Sequence, residues 1–154
     1  MEAMDTAEAV EQYGTMVYRL AYAQCRSRAD ADDLFHEVFL RYHRAAPVFD
    51  SEEHRKAWLL RVTVNCAKKL WSSPWRRRST ALEDVYTYSD PEASAVDEAL
   101  AGLPSGYRTV IHLFYYEGYG AQEIARLLGR KPSTVRTQLT RGRQLLAQRL
   151  KEDL

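Results

Sequence analysis

Between residues 133 and 143 the chain reads STVRTQLTRGR, and hydroxyls and guanidiniums recur there at three- and four-residue spacing. Arg136 and Arg141 can each donate two parallel hydrogen bonds to a guanine edge. Thr137 and Thr140 can bond a base or a phosphate while offering a methyl group to thymine. At 100° per residue these four fall in one helical sector, opposite an apolar stripe of Val135, Leu139, Leu146 and Leu150. Ser133 and Thr134 add hydroxyls at the head of the same helix. Taken alone, such a face could be a solvated basic surface on a terminal helix.

What precedes it favours a reader of DNA. In YGAQEIARLLGRKP, Ile124, Leu127 and Leu128 make one short apolar face. Gly129 then stands where a helix ends in a left-handed residue, and Pro132 stands where a new helix takes its first turn. Two helices across a tight turn make a helix-turn-helix, whose second helix enters the major groove and reads base edges with its early residues.

The whole-chain charge hides this segregation. Lys and Arg number 22 against 21 Asp and Glu, a net charge of +1. Yet from Ala81 to Leu100 there is no Lys or Arg, only Glu83, Asp84, Asp90, Glu92, Asp97 and Glu98. The basic run WRRRS lies just before it, and Arg126, Arg130, Lys131, Arg136, Arg141, Arg143, Arg149 and Lys151 lie after it. A basic C-terminal third is the electrostatic footprint of a nucleic-acid binder.

The front half reads as helices as well. Val17, Leu20 and Ala21, then Leu34, Val38, Phe39 and Tyr42, recur with helical period. Asp30, Asp32 and Asp33 complement the dipole at the start of the second helix. Asp50 and Ser51 can cap a third helix from about His54 to Trp71, with a stripe of Trp58, Leu59, Val62, Cys66 and Leu70. Breakers at Ser72-Ser73-Pro74 and Ser89-Asp90-Pro91 bound a stretch without periodicity. The expected organisation is all-α: a helical bundle over 1–75, an acidic linker over 76–93, and a helix-turn-helix domain over 94–154.

Several function classes are disfavoured. Cys25 and Cys66 lack metal-ligand spacing and read as buried reduced thiols. His36, His43, His54 and His112 are scattered, and no serine or cysteine sits in a nucleophile setting, so an enzyme or a cofactor site is not expected. The start MEAMDTAEAVEQYG lacks the basic and apolar segments of a secretory signal, and no apolar run approaches the roughly 18 residues of a membrane span. A cytoplasmic protein is expected.

Two segments together resemble the RNA polymerase sigma-70 family in its extracytoplasmic-function (ECF) branch. LPSGYRTVIHLFYYEGY followed by EIARLLGRKPSTVRTQLTRGRQLL is similar to region 4, and DADDLFHEVFLRYHR followed by AWLLRVTVNCAKKL is similar to region 2. The resemblance implies that the front half binds the clamp helices of core polymerase and the minus-10 element, and that the back half binds the flap and the minus-35 element. Asp33, His36, Glu37 and Arg41 fall on the family's polymerase-binding helix, with His36 where the family usually carries Gln. Asn65 falls on the promoter-reading helix, where a carboxamide offers both donor and acceptor, and Lys68 and Lys69 suit the phosphates. Trp58 matches a strand-melting aromatic, although its stripe with Val62 favours core packing.

The minus-35 contacts implied by the family fall on Arg136, Thr137, Thr140 and Arg141, the residues the wheel exposes. Lys131 departs from the pattern, since a capping Ser or Thr often stands there. The loop VFDSEEH corresponds to the segment that cradles a flipped minus-10 base. The acidic linker corresponds to the connector that runs toward the RNA exit path. The same resemblance admits an anti-sigma factor as a further partner. The alternative reading is an autonomous helix-turn-helix regulator acting on an operator, which accounts for the back half and leaves DADDLFHEVFLR and Asn65 without a role.

Overall fold

A computed structural model describes residues 4–72, 98–100 and 102–152 of the chain. The chain divides into two compact units, Met1–Thr87 and Tyr88–Leu154. The expected linker over 76–93, with Glu83, Asp84, Asp90 and Glu92, lies outside the described residues, and so does Asp97.

The first unit contains α1 (Thr6–Cys25), α2 (Arg28–Ala45) and α3 (Glu52–Ser72). Each start has a side chain that takes an otherwise unpaired amide. Asp5 Oδ1 accepts from the Glu8 amide at 2.8 Å, Ser27 Oγ accepts from the Asp30 amide, and Ser51 Oγ accepts from the His54 amide at 3.1 Å. Because Ser51 caps the third residue beyond it, α3 opens at Glu52, two residues ahead of the sequence expectation. The three helices pack on one another around Ala9, Val17 and Ala21 of α1, Leu34 and Val38 of α2, and Leu59 and Cys66 of α3. Both cysteines are buried, and neither is in a disulfide. Trp58 packs edge-on against Tyr42 and Phe49, with centroids 5.9 Å apart in each pair. It therefore serves the core, as its stripe suggests.

The second unit contains a helical stretch at 98–100, then α4 (Ser105–Tyr115), α5 (Ala121–Leu128) and α6 (Pro132–Glu152). Gly120 donates its amide to Glu123 Oε1 at 3.2 Å, which anchors the start of α5. Gly129 closes α5 at φ +67°, a left-handed conformation that costs glycine nothing, and Pro132 opens α6. Val110, Ile111 and Leu113 of α4, Ile124 and Leu127 of α5, and Val135 and Leu139 of α6 form the core. Leu146 and Leu150 continue the stripe half-buried.

Gly142 extends that stripe seven residues after Val135, and it is the point where α4 and α6 come close. A Cβ there would stand 2.6 Å from Ile111 Cδ1 and 3.4 Å from Tyr107 Cβ. Ile111 is itself buried, so it has little room to yield. Gly142→Val is expected to destabilise this unit by about 1–3 kcal/mol through overpacking, despite removing a helix-interior glycine. Thermal unfolding of the chain checks this; an unchanged or raised transition would show that α4 shifts freely.

Candidate nucleic-acid interface

Ser133, Thr134, Arg136, Thr137, Thr140 and Arg141 are all exposed on α6, while Val135 and Leu139 between them are buried. One helix thus keeps its exposed polar face and its packing face apart. The start of α4 adds a wall to that face: Pro104, Gly106 and Tyr107 line an open cleft together with Ser133, Thr134, Thr137, Gln138 and Arg141. Arg136 and Thr140 stand outside the cleft on the adjoining exposed surface. The α6 residues therefore form two adjacent exposed strips, one lining a recess rich in hydroxyls and one outside it.

Gln138 was not singled out from sequence. Its Oε1 accepts from Arg130 NH1 at 2.9 Å, which ties the turn before α6 to the second turn of that helix. Burial holds the Arg130 guanidinium below its ordinary pKa. A wheel places Gln138 at the border of the polar sector, but only the fold shows its partner. Arg143, counted among the basic residues, donates from Nε to the Tyr115 hydroxyl at 2.8 Å and lies 4.9 Å from the Phe114 ring centroid. That side chain fastens α6 to α4. Lys131 is exposed, and its carbonyl accepts the Val135 amide at 3.1 Å.

In the first unit, Asn65, Lys68 and Lys69 are exposed on α3 at helical spacing, with Cys66 and Ala67 buried behind them. Arg61, one turn before Asn65, is exposed as well, and the four-residue interval was the signal that could have found it. On α2, Asp33 and His36 are exposed and Glu37 and Arg41 are half-buried. Arg41 Nε and Glu37 Oε1 are 2.9 Å apart, a pair on the helix surface worth a few tenths of a kcal/mol, about 0.2–0.5. Leu40, 42% exposed, lies beside them and supplies apolar surface that the charged pattern concealed.

Charged groups of both helices act on Cys66. Burial pushes its thiol pKa up; Arg41 of α2 and Lys69 of α3 oppose that rise and Glu37 adds to it. In the connection between α2 and α3, Val48 is 73% exposed while its neighbour Phe49 is buried. Among the described residues there is no group of three or more His, Cys, Asp or Glu able to hold a metal ion, and no helix long and apolar enough to cross a membrane.

Comparison with known proteins places both halves together. Residues 9–77 match the family described as sigma-70 region 2, and residues 93–146 match sigma-70, region 4. The chain is 34% identical over 152 residues to the ECF RNA polymerase sigma factor SigE of Mycolicibacterium smegmatis, covering 90% of this chain and 59% of that protein. It is 32% identical over 139 residues to the ECF RNA polymerase sigma factor SigM of Mycobacterium tuberculosis, covering 87% of this chain and 71% of SigM. Among solved structures, CnrH in complex with the cytosolic domain of CnrY is similar at a TM-score of 0.69 and 25% identity, over 97% of this chain and 89% of CnrH.

Proposed function

Because the chain belongs to the ECF branch of the RNA polymerase sigma-70 family, we propose that it joins core RNA polymerase and directs it to promoters through minus-10 and minus-35 elements. The observation that carries this reading is the presence of both matched regions in one chain, in that order. An autonomous regulator would need only the second. The protein works by binding, with no reaction of its own, and acts in the cytoplasm where its polymerase and promoters are.

Each face then takes a role. Asp33, His36, Glu37 and Arg41 on α2 meet polymerase, and Leu40 contributes apolar area to that contact. Asn65 reads the minus-10 element from α3, and Lys68 and Lys69 hold its phosphates. Arg136, Thr137, Thr140 and Arg141 read minus-35 base edges, while Ser133 and Thr134 at the head of α6 position the helix on the backbone. CnrH was solved in complex with the cytosolic domain of CnrY; by analogy, this chain takes a protein partner of its own, an anti-sigma factor, that competes for it with polymerase.

Run-off transcription with core polymerase tests the reading, and Arg141 sharpens it. Arg141→Ala is expected to cost about 1–3 kcal/mol and to relax preference at particular minus-35 positions. The side chain is exposed, so folding should hardly change. Uniform weakening across all sequences would make Arg141 a phosphate anchor, and failure of the wild-type chain to support any run-off product would remove the function itself.

A further inference from the structure

Among the described residues Arg55 is the largest fully buried side chain, 1% exposed. Its NH1 donates to Glu52 Oε1, one turn earlier on α3, and Glu52 Oε2 accepts from the Tyr13 hydroxyl on α1. Its guanidinium carbon lies 5.3 Å from the ring centroid of Phe49. Phe49 is 4% exposed and is braced edge-on by His54 at 5.0 Å and Trp58 at 5.9 Å. The Arg55–Glu52 hydrogen bond holds the Glu52 carboxyl below its usual range, and burial with Glu52 raises Tyr13 to about 12. The carboxylate is therefore shared between an arginine and a neutral phenol.

All of these contacts converge on the short connection between α2 and α3. Its first residue, Ala46, is left-handed at φ 42° and donates its amide to the Tyr42 carbonyl at 2.9 Å. Its last, Ser51, caps α3 through the His54 amide and accepts the Arg55 amide on its carbonyl at 3.2 Å. Between these fixed ends one side chain, Phe49, is driven into the core, and its neighbours Val48 and Asp50 face solvent. A left-handed alanine needs its surroundings to hold it. An arginine buried against a half-exposed carboxylate also recovers only part of its desolvation cost, so an apolar side chain of similar volume would serve stability as well. The arrangement makes better sense as a device for position.

We propose that Arg55 is a positioning residue: through Phe49 on one side and Glu52 and Tyr13 on the other, it holds the Ala46–Ser51 connection in the single conformation that presents Val48 and Asp50 to an unpaired promoter strand. This rests on the reading of the first unit as the minus-10 binder. A connection already ordered before it meets DNA loses less freedom on binding. Loosening the clamp removes that advantage without removing any group that touches DNA.

The test uses holoenzyme assembled from core polymerase and the full chain. The probe is a labelled single-stranded oligonucleotide carrying the non-template minus-10 sequence, compared with a scrambled one. Arg55→Met keeps the volume and loses the fork. Glu52→Gln alters a half-exposed partner and leaves the core intact, so it remains informative if the first variant folds poorly. Both are expected to keep core affinity and thermal stability near wild type while the preference for the minus-10 strand falls about tenfold. Arg55→Lys, which restores charge without the fork, is expected to recover only part of it. Undiminished preference in Arg55→Met and Glu52→Gln overturns the proposal, as does a loss that tracks thermal stability and core affinity in equal measure. A wild-type holoenzyme with no preference for the minus-10 strand overturns the promoter reading of this unit and the proposal with it.

Discussion

A chain carrying Asp33→Lys and Glu37→Lys is expected not to co-purify with core RNA polymerase. On α2, His36 and Glu37 follow Asp33 by three and four residues and Arg41 follows Glu37 by four, so they share a face. The reversal does two things there. It replaces the carboxylates that would meet basic groups across the interface, and it sets a new lysine where Glu37 now pairs with Arg41 at 2.9 Å. Charges desolvated at an interface and left facing their own kind cost about 2–5 kcal/mol each. Two of them therefore weaken assembly by roughly a thousandfold or more. The fold should survive, because the surface pair that is lost contributes only about 0.2–0.5 kcal/mol. Pull-down with core polymerase reads the first effect and thermal unfolding the second. Unimpaired co-purification would remove α2 from the interface, and a collapsed unfolding transition would show that Asp33 or Glu37 holds the bundle together.

The helix-turn-helix was legible in sequence because its signals are local. Gly129 needs a left-handed conformation and Pro132 needs a first turn, and each requirement is met within a few residues. Exposure of Arg136, Thr137, Thr140 and Arg141 followed from the wheel for the same reason. What escaped depends on contacts between elements. Arg143 looks like any other arginine of the basic third until Phe114 and Tyr115 of α4 come beside it. Gly142 looks like a defect in a helix until Ile111 occupies the space of its missing Cβ. Arg55, in a run that reads EEHRKAW, gives no sign that it is buried, because its partners Phe49 and Tyr13 come from a connection and another helix. Periodicity reports which side of a helix is apolar; it does not report which polar side chain a neighbour will enclose.

Lengthening or shortening the promoter spacer by a few base pairs is expected to cut transcription steeply, although both elements remain intact. Each proposed reading face is small: on α6 it comprises the exposed Arg136, Thr137, Thr140 and Arg141, and on α3 the exposed carboxamide of Asn65. So few contacts cannot by themselves pick a promoter out of a genome of competing sites. The free chain should therefore bind promoter DNA weakly. Once both units are seated on polymerase, the second DNA contact becomes intramolecular, and the two modest affinities combine through effective concentration. That gain vanishes when geometry forbids simultaneous engagement. Each added base pair turns one element by roughly 34° about the DNA axis relative to the other, given a repeat of about 10.5 base pairs. Two or three are enough to carry one element away from its reader. Insertions of a few residues into 76–93 should be tolerated better, because polymerase, and not the length of that segment, sets the separation. Run-off assays on a promoter series with graded spacers, set beside the same assays on chains with graded insertions, measure the two dependences side by side. Tight binding of the isolated chain to the promoter, indifferent to spacer length, would mean that the second unit finds its site unaided, and an autonomous regulator would then be the better account of the chain.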